Sequence, residues 1–175
     1  MSAGIRLRAP CPEDGADVGA LIASCPPLDR NSLYATLLLC SDFADSCVVA
    51  EEGARLVGWV SGYRRPVAPA DFFVWQVAVA PAARGRGLAG RMIEALLHRP
   101  QATGVRHLVS TITAGNGASW ALFEGLARRW RAPLERSPRF DRDRHLAGAH
   151  DSEWQARIGP LPRIPDPFDD RRADT

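Results

Sequence analysis

Apolar residues recur along this 175-residue chain with two different periods, and each change of period marks a new element. Ile5-Arg6-Leu7-Arg8 alternates and predicts a first strand. From Pro12-Glu13-Asp14 to about Ser24 the spacing puts Val18, Leu21 and Ile22 on one face of a helix, which Cys25-Pro26-Pro27 breaks. Asn31 or Ser32 can cap a second helix carrying Leu33, Leu37 and Leu38. Ser46-Cys47-Val48-Val49-Ala50 reads as a strand, Glu52-Gly53 as a turn, and Arg55 to Tyr63 as the antiparallel partner. A loop with Pro66 and Pro69 leads to a strand over 72–79. Leu88, Met92, Ala95 and Leu96 then predict a helix from about Gly87 to His98, and the alternation of Val105, His107, Val109 and Thr111 a strand over 105–113. Strand, helix and strand make a β-α-β unit, expected to be parallel with a right-handed crossover. A helix from Asn116 to about Arg129 turns Trp120, Phe123 and Leu126 to the core, and short extended pieces follow near 135–141 and 153–158. Neither repeat nor domain boundary is visible, so the expectation is a single α/β domain over residues 1–161, with a disordered Pro-, Asp- and Arg-rich tail at 162–175.

Composition narrows the function by exclusion. No apolar run approaches the roughly 20 residues needed to cross a bilayer. The N-terminus lacks a basic segment followed by an apolar one, so a cytoplasmic protein without membrane contact is expected. Cys11, Cys25, Cys40 and Cys47 show neither Cys-x-x-Cys pairing nor clustered histidines, which argues for reduced thiols and against a metal site. All 22 basic residues are arginine and the net charge is only +2. The arginines are scattered among 20 acids without a basic stripe, so nucleic acid is not an expected partner.

Residues 73–89 carry the chemistry. Phe73-Val74-Trp75-Gln76-Val77-Ala78-Val79 runs through Ala80-Pro81-Ala82-Ala83 into Arg84-Gly85-Arg86-Gly87-Leu88-Ala89, the opening of the amphipathic helix. Glycines leave no side chain between backbone N–H groups and a docking anion, and a helix N-terminus adds partial positive charge. This is a site for phosphate or pyrophosphate. A nucleotide P-loop is excluded because the chain has no lysine. A dinucleotide fingerprint needs a third glycine and a later acid. The plainer alternative is a tight strand-to-helix turn.

The Arg-x-x-Gly-x-Ala order resembles the acetyl-CoA pyrophosphate loop of the GNAT superfamily of N-acetyltransferases, and the succession of hairpin, β-α-β unit, helix and closing strands resembles its fold. The resemblance implies a mixed sheet with splayed central parallel strands and flanking helices. It also implies acetyl-CoA as acetyl donor, held by Val77, Val79, Arg84, Gly85, Arg86, Gly87, Leu88, Ala89 and Asn116, with Trp120 and Phe123 either lining the cofactor end or simply packing. Other segments resemble one family within it, the L-2,4-diaminobutyrate N-acetyltransferases of ectoine biosynthesis. They are Pro27-Leu28-Asp29-Arg30-Asn31-Ser32-x-Tyr34, Phe73 to Val79, Asn116-x-x-Ser119-Trp120-Ala121-Leu122-Phe123 and Ala132-Pro133-Leu134-Glu135-Arg136-Ser137. Phe140 to His145 and His150-Asp151-Ser152-Glu153-Trp154 complete the set. The implied reaction is acetylation of the γ-amine of L-2,4-diaminobutyrate by a cytoplasmic homodimer serving osmoprotection. A different small amine, or a non-catalytic acetyl-CoA-binding module, are the competing readings.

Amine acetylation by a thioester needs a neutral amine, a polarised carbonyl and a leaving thiolate. The superfamily resemblance implies that a backbone N–H around Val77 to Val79, with Val77 as the candidate, binds the developing oxyanion. Asp29 and Glu153 are the candidate catalytic and ammonium-anchoring carboxylates, against the alternatives of a cap or turn for Asp29 and a solvated strand end for Glu153. Arg136 and Ser137 are candidates for the substrate carboxylate, unless Arg136 pairs on the surface with Glu135 or Asp141. The Trp75 ring can wall the amine pocket, since an aromatic face tolerates a cation. Tyr34 and His150 are candidate relays at the substrate. Many acetyltransferases protonate the thiolate with a tyrosine of the helix after the Asn-x-x-Ser motif. Here Trp120 and Phe123 follow that motif, and the general acid stays unassigned.

Overall fold

Small and β-branched residues build the first strands. β1 (Ile5–Arg8) pairs antiparallel with β2 (Cys47–Glu52), and β2 with β3 (Arg55–Arg64). The β2–β3 turn depends on Gly53, whose φ of 65° lies in the left-handed region. The structure is a computed structural model that describes residues 4–162. These fall into two compact units: one takes the chain up to Tyr63 together with Val74–Thr103, the other Arg64–Phe73 with the chain from Gly104 onward.

In the first unit, a 3-10 turn at Pro12–Asp14 leads into α1 (Gly15–Ala23). Val18, Leu21 and Ile22 of α1 pack with Leu39 and Cys40 of α2 (Leu33–Cys40), Val49 and Trp59. Burying such side chains contributes about 1.5–3 kcal/mol each. Ser32, not Asn31, caps α2, its hydroxyl accepting from the Ala35 N–H at 3.1 Å. α3 (Leu88–Leu97) lies close over β3, where a Cβ at Gly58 would stand 2.8 Å from Met92 Sδ. A side chain at Gly58 would have to displace the end of Met92.

β4 (Asp71–Val79) is divided between the units after Phe73. In the second unit its first residues pair parallel with β5 (His107–Thr113), from Asp71↔His107 to Phe73↔Val109, as the β-α-β reading requires. β4 then continues from Val74 to Val79 past its last β5 partner. The buried Asp71 carboxylate accepts from Arg65 Nη1 at 3.1 Å and Arg157 Nη2 at 3.3 Å, so its charge is paired. After α4 (Gly117–Trp130), β6 (Leu134–Phe140) and β7 (Glu153–Ile158) form an antiparallel pair with β7 against β5. β6 is therefore an edge strand, and nearly all of it is exposed. The seven strands run in the order β1-β2-β3-β4-β5-β7-β6, the mixed sheet expected of the resemblance.

Sequence boundaries shift at a few places. The strand expected over 105–113 begins at His107, because the Arg106 and His107 N–H groups both turn to the Ala70 carbonyl. The extended piece expected to reach 141 stops at Phe140, because Asp141 caps a short helix α5 (Arg142–His145) that periodicity did not reveal. Except for Pro162, the expected tail lies outside the described residues. Among the described residues no helix is long and apolar enough to cross a membrane, and no group of His, Cys, Asp and Glu is placed to hold a metal ion.

Candidate active site

The first unit presents the expected anion loop. β4 alternates, with Val74, Gln76 and Ala78 buried, Val77 and Val79 partly covered, and Trp75 49% exposed. Pro81 opens a single 3-10 turn, and the backbone then passes through the left-handed region at Gly85 (φ 74°) and Gly87 (φ 67°). A Cβ at either glycine would meet nothing within 4 Å, so these positions demand glycine for backbone conformation and leave the space beside the loop open. Gly87 is the N-cap of α3 and has no side chain to accept from the first helical N–H groups. The loop thus has donors, helix polarity and access, the requirements of a pyrophosphate cradle.

Its side chains are partly engaged. Arg84 Nε donates to the Val79 carbonyl at 3.0 Å, and Cys25 Sγ donates to the same oxygen at 3.4 Å. Arg86 donates to Glu52 Oε1 at 3.1 and 3.2 Å. The Leu88 side chain is buried, so what it can offer an anion is its backbone N–H; Ala89 follows it in the first turn of α3.

The acceptor candidates of this unit are Trp75 on β4, Asp29 just before α2 and Tyr34 within α2. Asp29 is exposed and its carboxylate makes no ion pair or hydrogen bond among the described residues, while its carbonyl accepts from Gln76 Nε2 at 2.8 Å. Capping falls to Ser32, which removes the helix-capping alternative for Asp29. Asn31 Nδ2 donates to Gln76 Oε1 at 2.9 Å. Tyr34, in the first turn of α2, is 71% exposed.

In the second unit, Asn116 is the N-cap of α4, its Oδ1 accepting from the Ser119 N–H at 3.1 Å, which leaves its amide N–H₂ on offer. Trp120 Nε1 donates to the Thr113 carbonyl at 3.1 Å, and Phe123 is 2% exposed. Phe123 therefore packs. The Arg136 guanidinium stacks over the Trp120 ring at 4.1 Å from its centroid and pairs with Glu124. That partner corrects the expected surface pairing with Glu135 or Asp141: Arg136 reaches from β6 to α4, Glu135 faces Arg157 at 3.9 Å, and Asp141 is occupied as a cap. Ser137 stands opposite Gln155, and Glu153 pairs in register with Thr113 of β5 and Phe140 of β6. His150 is exposed in the segment between α5 and β7. Asp141 Oδ1 accepts from the Asp143 and Arg144 N–H groups at 3.0 and 2.9 Å. These bonds hold its carboxyl below the usual carboxylate range, the bond from Arg144 contributing most. Ser152 Oγ accepts from the Arg142 N–H at 2.9 Å.

Sequence reasoning missed Gln76, Asn31 and Glu124. A polar residue in the buried register of Val74, Gln76 and Ala78 was the available signal for the first. Glu124 had none, since its partner lies on another element.

Comparison with known proteins shows the family. The profile of the Acetyltransferase (GNAT) family matches residues 16–127. The L-2,4-diaminobutyric acid acetyltransferase of Halomonas elongata is 53% identical over 89% of this chain and 81% of its own length. Its Nocardia farcinica counterpart is 47% identical over 89% of this chain and 80% of its own length. Among solved structures, diaminobutyrate acetyltransferase EctA from Paenibacillus lautus, in complex with L-2,4-diaminobutyric acid and coenzyme A, is 35% identical with a TM-score of 0.85, covering 90% of this chain and 96% of that one. The Salmonella typhimurium protein yncA, solved with its cofactor acetyl-CoA, is 15% identical over 93% of this chain and 98% of its own with a TM-score of 0.66, and shares the fold. By these relationships the chain belongs to the diaminobutyrate acetyltransferases of the GNAT family.

Proposed function

We propose that this chain transfers the acetyl group of acetyl-CoA to the γ-nitrogen of L-2,4-diaminobutyrate. The observation that carries the reading is the likeness to the Paenibacillus lautus enzyme over 90% of this chain, since it extends past the superfamily profile at 16–127 into the segment with Arg136 and Glu153. The backbone N–H groups from Gly85 to Ala89 cradle the donor's pyrophosphate, and the loop observed there fits that group without a side chain in the way. Val79 and Asn116 contact its pantetheine arm, and Trp120 walls the cofactor end.

A primary ammonium with a pKa near 10 must lose a proton before it can attack. Asp29 and Glu153 are the carboxylates for that step and for anchoring the ammonium that is not acetylated. Trp75 offers its face to the cationic substrate, Arg136 and Ser137 receive its carboxylate, and Tyr34 and His150 relay protons. The Val77 N–H polarises the acetyl carbonyl. Two amines and a carboxylate on one small molecule make regioselectivity a matter of anchoring, so several polar groups around the acceptor are required. The chain's two tyrosines are Tyr34 and Tyr63, neither on α4. A thiolate with a pKa of about 8.5 leaves without a tyrosine acid. The enzyme works as a cytoplasmic homodimer, and its product supplies ectoine for osmoprotection.

Thiol release from acetyl-CoA with diaminobutyrate, followed by NMR of the product, tests the reading. Acetyl on the γ-nitrogen is expected. Acetyl on the α-nitrogen, or turnover with ornithine or lysine but not diaminobutyrate, overturns it. Light scattering on the purified protein checks the dimer.

A further inference from the structure

Gln76 is out of place by the logic of its own strand. Its neighbours on the buried face of β4, Val74 and Ala78, are each 1% exposed and apolar, yet Gln76 is itself only 6% exposed. A primary amide in such a position is costly unless both its ends are bonded. Both are: Nε2 donates to the Asp29 carbonyl at 2.8 Å and Oε1 accepts from Asn31 Nδ2 at 2.9 Å. The pattern also fixes the amide's orientation, because a flipped amide would set oxygen against the Asp29 oxygen and nitrogen against the Asn31 nitrogen.

What Gln76 holds is a segment with little else to hold it. Residues 29–31 lie outside any helix or strand and make no backbone–backbone hydrogen bond among the described residues. The preceding Leu28 N–H returns to Cys25, and the following backbone bond belongs to α2. The two amide bonds therefore tie this segment to β4. They do so between Trp75 and Val77 in sequence, the ring proposed for the amine and the N–H proposed for the acetyl oxygen.

We propose that Gln76 is a positioning residue for the acceptor amine, its amide setting where the Asp29 carboxylate stands relative to the Val77 N–H. The inference rests on the reading of Asp29 as an ammonium anchor, and Asn31 is the second half of the clamp. Gln76 touches neither substrate. It acts through Asp29.

The test is a double-mutant cycle on the full chain with diaminobutyrate and acetyl-CoA, reading the KM for each. Asn31→Ala removes one clamp bond and is expected to raise the KM for diaminobutyrate about tenfold, the worth of one neutral hydrogen bond. Gln76→Met removes both and is expected to raise it by about ten- to a hundredfold. In both variants the KM for acetyl-CoA stays within about twofold of wild type, since the pyrophosphate loop is untouched. In the Asp29→Asn background, Asn31→Ala should change the diaminobutyrate KM no further. Multiplicative, independent losses in the cycle overturn the positioning role, as does an equal rise in both KM values, the mark of a purely structural residue. Should Asp29→Asn leave the diaminobutyrate KM unchanged while Asn31→Ala raises it, the failure lies with the anchoring role of Asp29 and takes this proposal with it. If Gln76→Met does not fold, the Asn31 and Asp29 variants complete the cycle alone.

Discussion

In the loop at 84–89 the backbone does the shaping. Gly85 and Gly87 take left-handed φ values, Gly87 starts α3 without a capping side chain, and the space beside both glycines is open. In the stretch at 134–153 side chains do it instead. Asp141 caps α5, Ser152 holds the Arg142 N–H, and Arg136 lies across Trp120 with Glu124 beside it. A backbone site is specified by a few contiguous residues, whereas a side-chain site is specified by partners scattered through the chain. The first tolerates almost any neighbour but no Cβ at its glycines. The second tolerates local change until a remote partner is lost.

The sharpest way to break this contrast is Gly87→Val. A β-branched residue at φ 67° is strained, and it places a side chain where the anion is proposed to sit. We expect acetyl-CoA affinity to fall by more than about a hundredfold, read by calorimetry, with the fold retained by circular dichroism. Unchanged affinity would mean that the loop's donors are not the cradle. Next in size is Glu153→Gln, expected to lower kcat/KM for diaminobutyrate about a hundredfold while the KM for acetyl-CoA moves less than about twofold. Equal effects on both substrates would remove Glu153 from the acceptor side.

Charge pairs carry the same contrast into stability. Arg8 and Asp14 form a two-pronged pair at 2.6 and 2.7 Å with little solvent exposure, and Arg8 holds the Asp14 carboxyl down to about 2. Because the folded value is depressed, this stabilisation is in place above the unfolded value near 3.9 and is lost as pH falls from there through about 2. Asp14→Asn should therefore cost about 2 kcal/mol at pH 6 and progressively less as pH falls through about 2, measured by urea unfolding. A pH-independent difference would assign the loss to packing. Smallest is Arg136→Ala. Its pair with Glu124 is half exposed and the stacking on Trp120 is the larger part, so about 0.5–1 kcal/mol is expected in the same assay. A rise in the diaminobutyrate KM of more than about fivefold in this variant would be the sign that Arg136 also meets the substrate carboxylate.

Sequence and structure divide along that line. Periodicity placed β7 at 153–158 and α3 within a residue of its ends, because amphipathic spacing is a property of neighbouring residues. Turn chemistry placed Gly53 in the β2–β3 turn for the same reason, and the structure adds the left-handed φ values of Gly53, Gly85 and Gly87. Of the caps, Ser32 was one of two candidates, while Asp141 hid inside a stretch read as extended.

What the chain determined by itself was a local matter: an α/β succession, a glycine loop opening a helix after an apolar strand, and segments that place it among diaminobutyrate acetyltransferases. Only the tertiary structure decided which polar group meets which. Gln76 joins Asp29 and Asn31 across 45 or more residues, and Arg136 chooses Glu124 over its sequence neighbour Glu135. Hydrogen bonds and ion pairs are satisfied by proximity in space, and a buried amide or an edge-strand guanidinium finds its partner only once the strands and helices have been packed.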